Sequence, residues 1–194
     1  MSYAGVVSLW EQTRRTVQDD IAAAAMDLFV EHGFDAVTMD EIATRAGISR
    51  RSLFRYFGTK EDLVLRSVAG TGESIAAALR ARPRTEGPWA AVLAVADELE
   101  SAPEWDPARE RAIGRMCVET PALRARRAEK HQGWVDLFTP ELAARPESAP
   151  VGESAAGAIA AAALACLDVA TDRWVAEGGV LAAHFAQAVA AVRS

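Results

Sequence analysis

Apolar residues recur at three- and four-residue spacings along nearly the whole chain, and no stretch alternates with the period of two that a half-buried strand needs. From Thr16 to His32, the residues Val17, Ile21, Ala24, Leu28 and Phe29 fall on one stripe, and Gly33 suits the left-handed position that closes a helix. Thr38 followed by Glu41 predicts a capping box opening a short helix that ends at Ala46. Gly47 punctuates, Ser49 is a good N-cap, and a third helix is expected to about Phe57. Thr59-Lys60-Glu61-Asp62 then opens a fourth, with acids in the turn where the helix dipole favours them. Past Arg80, breaks are expected at residues 83–88, 102–107, 120–121, 139–152 and 178–179. The last two helices, 153–177 and 179–192, carry long apolar faces, with Ile159, Ala163, Ala170 and Trp174 on the first and Leu181, Phe185, Val189 and Val192 on the second. The pattern predicts an all-α protein of about nine helices.

The second and third helices meet through an Ala43-x-x-x-Gly47 turn, the helix-turn-helix arrangement. Ala43 is small where two helices cross closely, and Gly47 can take the left-handed conformation that a side chain resists. Ile42, Ala46, Ile48, Leu53 and Phe57 can bury together against Leu28 and Phe29. That leaves Arg50, Arg51, Ser52 and Arg55 outward near the start of the third helix, which in this geometry enters the major groove of a duplex. Arginine is the side chain best able to grip guanine O6 and N7 together. Thr38, Tyr56 and Lys60 are placed to hold phosphates, and Ser49 can donate as well. A merely solvated basic face is the alternative. The conjunction of capping box, small residue, turn glycine and aromatic tail favours the reading head.

Charge sharpens this. The 194 residues carry a net charge of −6, which argues against bulk attraction to nucleic acid or anionic membrane, yet residues 49–60 contain four basic side chains and no acid. Two cysteines, Cys117 and Cys166, without a cationic and apolar leader, fit reduced thiols in a cytoplasmic protein. The alanine-rich run Ala155–Leu167 is too short to cross a bilayer and is expected to be a buried helix, so no membrane partner is expected. His32, His131 and His184 are scattered, no cluster has metal-ligand spacing, and no nucleophile elbow, phosphate loop or dinucleotide fingerprint occurs. The expectation is a protein that is not an enzyme and uses no cofactor or metal.

In the second half, Met116, Cys117, Trp134 and Phe138 are candidates to line an apolar ligand cavity, with plain core as the alternative. Arg124, Arg126, Arg127 and Lys130 form a second basic cluster, read as a solvated helix face or a partner for ligand phosphates. Trp89 and Trp105 start helices and serve to anchor them. The small-residue run Ser154–Leu167 lets helices approach closely, which suits a two-fold bundle; Ile159, Ala163, Leu167, Trp174, Leu181, Phe185 and Val189 are the candidate dimer contacts, with intramolecular core as the alternative.

The string AAMDLFVEHGFDAVTMDEIATRAGISRRSLFRYFGTKEDLV, within a stretch from about Thr16 to Val68, resembles the DNA-binding domain of TetR-type transcriptional regulators. The resemblance implies an all-α homodimer, with a helix-turn-helix domain over 1–60 and a helical ligand-binding and dimerisation domain over 61–194. It also implies phosphate contacts at Thr38, Tyr56 and Lys60 and recognition positions at Arg50, Arg51, Ser52 and Arg55. CVETPALRARRAEKHQGW and, later, ATDRWVAEGG resemble the mycofactocin-regulator subgroup, which implies an acyl-CoA-like ligand. The expected function is a ligand-responsive, sequence-specific regulator, a repressor released from a pseudo-palindromic operator by a small apolar or acyl-CoA-like effector. A small-molecule-binding dimer with a vestigial helix-turn-helix is the alternative. Arg14 and Arg15 could reach the minor groove from an N-terminal arm.

Overall fold

The computed structural model describes residues 9–68, 70–145 and 152–194, which form ten helices and no strand. The chain divides into two compact units, Met1–Ala69 and Gly70–Ser194.

The first unit holds α1 (Leu9–His32), α2 (Met39–Arg45), α3 (Arg50–Tyr56) and α4 (Lys60–Ser67). Helix α1 starts well before Thr16. That hydroxyl does not cap a helix but returns to the Gln12 carbonyl one turn back, 3.1 Å away, and no Gly or Pro interrupts residues 9–15. Arg14 and Arg15 therefore lie exposed on a helix, and the arm before Leu9 lies outside the described residues. The chain leaves α1 through Gly33 at φ 86°, and Phe34 folds back on Phe29 with ring centroids 5.0 Å apart. Phe34 and Val37 then enter a core with Leu28, Phe29, Ile42, Leu53 and Phe57, while Ala46 and Ile48 are half-buried at its edge. Leu63 and Val64 of α4 are also buried, and α4 packs on α1. For that reason the first unit runs to residue 69 rather than ending near Lys60.

The second unit holds α5 (Thr71–Ala81), α6 (Pro88–Glu100), α7 (Pro107–Glu119), α8 (Pro121–Ala143), α9 (Glu153–Glu177) and α10 (Leu181–Arg193). Prolines open α6, α7 and α8, where the missing N–H costs nothing. The run expected as one helix from Thr59 is divided into α4 and α5, which makes ten helices among the described residues rather than about nine. Gly72, just inside α5, is buried with its Cα face against the Trp134 indole, so α5 and α8 approach closely there. Helix α8 also passes the expected break at Thr139 and continues through Pro140, because Glu141 and Leu142 of its last turn are buried. Glu141 accepts from Arg80 Nε at 2.9 Å and Nη2 at 2.7 Å. Arg145, fully buried beyond the helix end, donates to the carbonyls of Glu141, Pro83 and Leu79 and ties α8 to α5.

Helix α9 contacts α6, α7, α8 and α10. At 25 residues it is long and apolar enough to span a membrane, longer than the run singled out in the sequence. Yet Ala156, Ala160, Ala163, Leu164, Cys166, Ala170 and Trp174 along it are buried by protein, and Asp168, Asp172 and Arg173 interrupt its second half. Two apolar clusters flank it. One joins Leu79, Val95, Phe138, Leu142 and Leu164; the other joins Trp89, Ala163, Phe185 and Val189.

Candidate nucleic-acid interface and ligand cavity

The reading head is assembled from local hydrogen bonds. Thr38 donates its backbone N–H to Glu41 Oε2 at 2.7 Å and its hydroxyl to the same oxygen at 2.8 Å, and it accepts the Glu41 N–H at 3.3 Å. Those bonds from Thr38, backbone first, hold the Glu41 carboxyl below its ordinary range. The turn follows: Gly47 N–H donates to Thr44 O at 3.1 Å and Ile48 N–H to Ala43 O at 3.0 Å, with Gly47 at φ 67°. Ser49 then caps α3, accepting the Ser52 N–H at 3.1 Å and donating to Ser52 Oγ at 2.9 Å. Inside, Leu53 and Phe57 are buried, so α3 has one fixed roll.

That roll leaves Arg50, Arg51, Phe54 and Arg55 exposed. Arg50 Nη1 pairs with Asp40 Oδ2 across the turn at 3.1 Å, and its guanidinium lies 5.5 Å from the Phe54 ring centre. The Arg55 guanidinium lies 5.2 Å from the ring of half-buried Tyr56. Arg51 pairs with no side chain among the described residues. Two participants were absent from the sequence reading. Phe54, 44% exposed, falls off the Leu53/Phe57 stripe, and its ring can meet a thymine methyl in the groove. Asp40 holds Arg50 back from one of its possible targets.

Lys60 is engaged within the first unit. Its Nζ donates to the carbonyls of Phe34 at 2.6 Å, Val37 at 3.0 Å and Asp35 at 3.4 Å, and stands 4.6 Å from the Phe34 ring centre. These contacts turn the ammonium toward the loop between α1 and α2. Thr38 likewise has its hydroxyl engaged in the cap.

The second unit contains a cavity of about 110 Å³ lying between its two apolar clusters, walled by residues of both, among them Leu79, Val95, Phe138, Leu164 and Phe185. Of the four expected lining residues only Phe138 faces it. Trp134 is 6.1 Å from Phe138 but packs behind it, against Gly72 and His131. Met116 is buried on α7, and Cys117 is half-buried there with its thiol pushed up by burial. The lining includes two residues with polar side chains, Glu100 and Trp105, neither singled out for this role in the sequence. Glu100 Oε1 accepts from Leu181 N–H at 2.9 Å and Oε2 from Ala182 N–H at 2.6 Å, a carboxylate seated on the first amides of α10. Trp105 Nε1–H is buried without an acceptor.

The second basic cluster is dispersed. Arg124 bonds the Val118 carbonyl, Arg127 pairs with Asp168 at 2.8 Å, and Lys130 lies 5.4 Å from the Trp134 ring centre; none lines the cavity. The expected dimer contacts divide. Ala163, Trp174, Phe185 and Val189 are buried inside the chain, beyond a partner's reach, because the larger side chains of α9 and α10 turn to their own core. Ile159, Leu167 and Leu181 are half-buried, and the outward stripes are Ala158, Ala161, Ala165 and Val169 with Ala183, Ala186 and Ala190.

Residues 21–66 match the family described as bacterial regulatory proteins, tetR family. The transcriptional regulator TcmR of Streptomyces glaucescens is 33% identical over 137 residues, which span 64% of this chain and 59% of TcmR. MftR of Mycobacterium tuberculosis, named as a transcriptional regulator of mycofactocin biosynthesis, is 31% identical over 139 residues, 68% of this chain and 67% of MftR. In fold the chain is similar to a TetR transcriptional regulator from Rhodococcus sp. RHA1 (TM-score 0.63, 20% identity, 94% of this chain and 96% of that one). It is also similar to FadR of Thermus thermophilus, a repressor solved in complex with lauroyl-CoA (TM-score 0.59, 20% identity, 91% and 93%). The capped and glycine-turned head, the helical body and these relatives agree: this chain belongs to the TetR family of bacterial regulatory proteins.

Proposed function

We propose that the chain is a sequence-specific, DNA-binding transcriptional regulator that works in the cytoplasm as a two-fold pair, and that the cavity of its second unit takes the effector that sets its affinity for DNA. The observation that carries this reading is the outward row of Arg51, Phe54 and Arg55 on a helix capped by Ser49 and rolled by buried Leu53 and Phe57. Arg51 and Arg55 are the base readers, Ser49, Ser52 and Tyr56 border the backbone, and Arg50 is shared with Asp40. Two such helices must enter successive major grooves, about 34–36 Å apart, which implies a pseudo-palindromic operator. The pair forms through the alanine stripes of α9 and α10, whose small side chains permit close approach.

Repression relieved by the effector is the direction proposed. An effector shifts the regulator only by its differential affinity for the conformers that bind and do not bind DNA. The apolar wall supports a small apolar effector; an acyl-CoA-like one, suggested by the lauroyl-CoA held by FadR, would leave its phosphates without a cation in that wall. The rival reading, a ligand-binding dimer with a vestigial head, is disfavoured by the intact caps and the unobstructed arginines. Selection of duplexes from a random library, followed by salt titration, decides between them. A regulator prefers its selected sequence over scrambled duplex and loses affinity log-linearly with salt. A vestigial head shows no sequence preference.

A further inference from the structure

We infer that the cavity of the second unit selects a compact, neutral, apolar molecule bearing a single hydrogen-bond acceptor, which bonds Trp105 Nε1–H. This rests on the effector-site reading above and names the chemical class of what that site takes.

The wall is hydrocarbon except at two side chains. Glu100 has an oxygen on each of the Leu181 and Ala182 amides and is already employed. Trp105 is not: its Nε1–H is buried and unbonded, and a buried donor left without an acceptor is costly. The contrast with its neighbour is direct. The Trp174 ring lies 6.2 Å away, but Trp174 Nε1–H donates to the Gly179 carbonyl at 3.1 Å. Of these two neighbouring indoles, the unmet donor belongs to the one in the cavity wall, and a ligand oxygen or nitrogen lone pair is what would meet it.

Charge narrows the class further. An anion would face the Glu100 carboxylate with no cation in the wall to offset it, since Arg124, Arg127 and Lys130 are engaged elsewhere. A cation would be drawn to Glu100 but carries no lone pair for the indole N–H. Size caps the class below a benzene ring, since a cavity of roughly 150 Å³ holds benzene and this one is about 110 Å³. The class also has a route to regulation, because an occupant of this cavity lies against Glu100, whose carboxylate seats the start of α10.

The test uses the full chain and four small probes: cyclobutanone, methylenecyclobutane (the same shape with C=CH₂ in place of C=O), cyclopropanecarboxylate and cyclobutylamine. Calorimetry is expected to give cyclobutanone about tenfold tighter binding than methylenecyclobutane, the two charged probes binding more weakly than either. The indole ¹⁵N–H signal of Trp105 moves downfield with cyclobutanone alone. In Trp105→Phe the two neutral probes bind alike; if that variant does not fold, the wild-type affinities and indole shift decide. Equal binding of the neutral pair to the wild type, or tightest binding by either charged probe, overturns the acceptor class while leaving the cavity as a ligand site. No binding by any probe, or binding unaffected by Ala163→Phe, which fills the cavity, overturns the effector-site reading itself.

Discussion

Lys60 Nζ lies 2.6 Å from the Phe34 carbonyl oxygen and 4.6 Å from the centre of the same residue's ring. A lysine beside a recognition helix invites a phosphate-binding role, but this one closes the loop that carries Thr38 to the start of α2. Removing it strips three carbonyls of a charged donor and exposes the edge of a buried aromatic. Lys60→Met is expected to destabilise the folded chain by about 2 kcal/mol, read as a lower urea midpoint. Its effect on DNA binding should follow that loss of stability. A stable Lys60→Met protein with a reduced salt slope would return Lys60 to the phosphate.

Arg50 and Arg51 are adjacent yet differently placed, and the difference is measurable. Arg51→Ala removes the arginine proposed to read a base, so the preference for the selected operator over its single-base variants should fall by about 1–3 kcal/mol. Arg50 shares its charge with Asp40 at 3.1 Å on an exposed surface. Asp40→Asn removes an anion from the face that meets phosphates and frees a guanidinium. Affinity for operator and scrambled duplex alike should rise, and the salt slope should steepen by about one unit. If Asp40→Asn weakens binding, Arg50 needs its partner to be held in place.

The head was legible in the sequence because its determinants are local. A cap and its acid three residues on, a turn glycine and a helical stripe lie within a few positions of one another, and each carries its own backbone geometry. The engagement of Lys60 was not legible because its acceptors lie 23 to 26 residues earlier in the chain. The body resisted for a related reason. Periodicity says that Ala163, Trp174, Phe185 and Val189 share apolar faces but not whether the neighbour is the same chain or another. In the folded chain Ala163, Phe185 and Val189 pack with Trp89 of α6, and Trp174 lies against Trp105. Trp105 sits in the short connection between α6 and α7, where no periodic signal operates, and only the folded wall reveals its unmet N–H.

Gly72 marks the tightest approach in the second unit. A Cβ there would overlap the Trp134 indole, itself wedged between His131 and Phe138. Large aromatic rings in a close-packed core have little room to yield. Gly72→Ala is expected to cost about 1–3 kcal/mol, whereas Gly133→Ala on the same helix as Trp134, with open space at its Cβ, should be neutral or slightly stabilising. Thermal unfolding of the two variants distinguishes an overpacking effect from a general intolerance of substitution at glycines.

Lys60 and Lys130 are the two lysines of the chain, which makes the second one accessible to direct titration. Burial is the chief cause that brings the Lys130 ammonium down to about 8, with the Cys117 thiol nearby acting in the opposite direction. Reductive methylation with ¹³C-formaldehyde should yield a lysine methyl signal that titrates near that value and is missing in Lys130→Met. The sign of the linked stability effect follows from which state holds the proton. In the window from about 8 up to the ordinary lysine value of about 10.4, the unfolded chain binds more protons than the folded one, so stability rises with pH across it. Below that window both states are protonated and the cost of the buried charge is constant. In Lys130→Met the rise between these pH values should flatten, measured as urea midpoints at closely spaced pH. An unchanged slope would mean that the ammonium is hydrated in the folded protein.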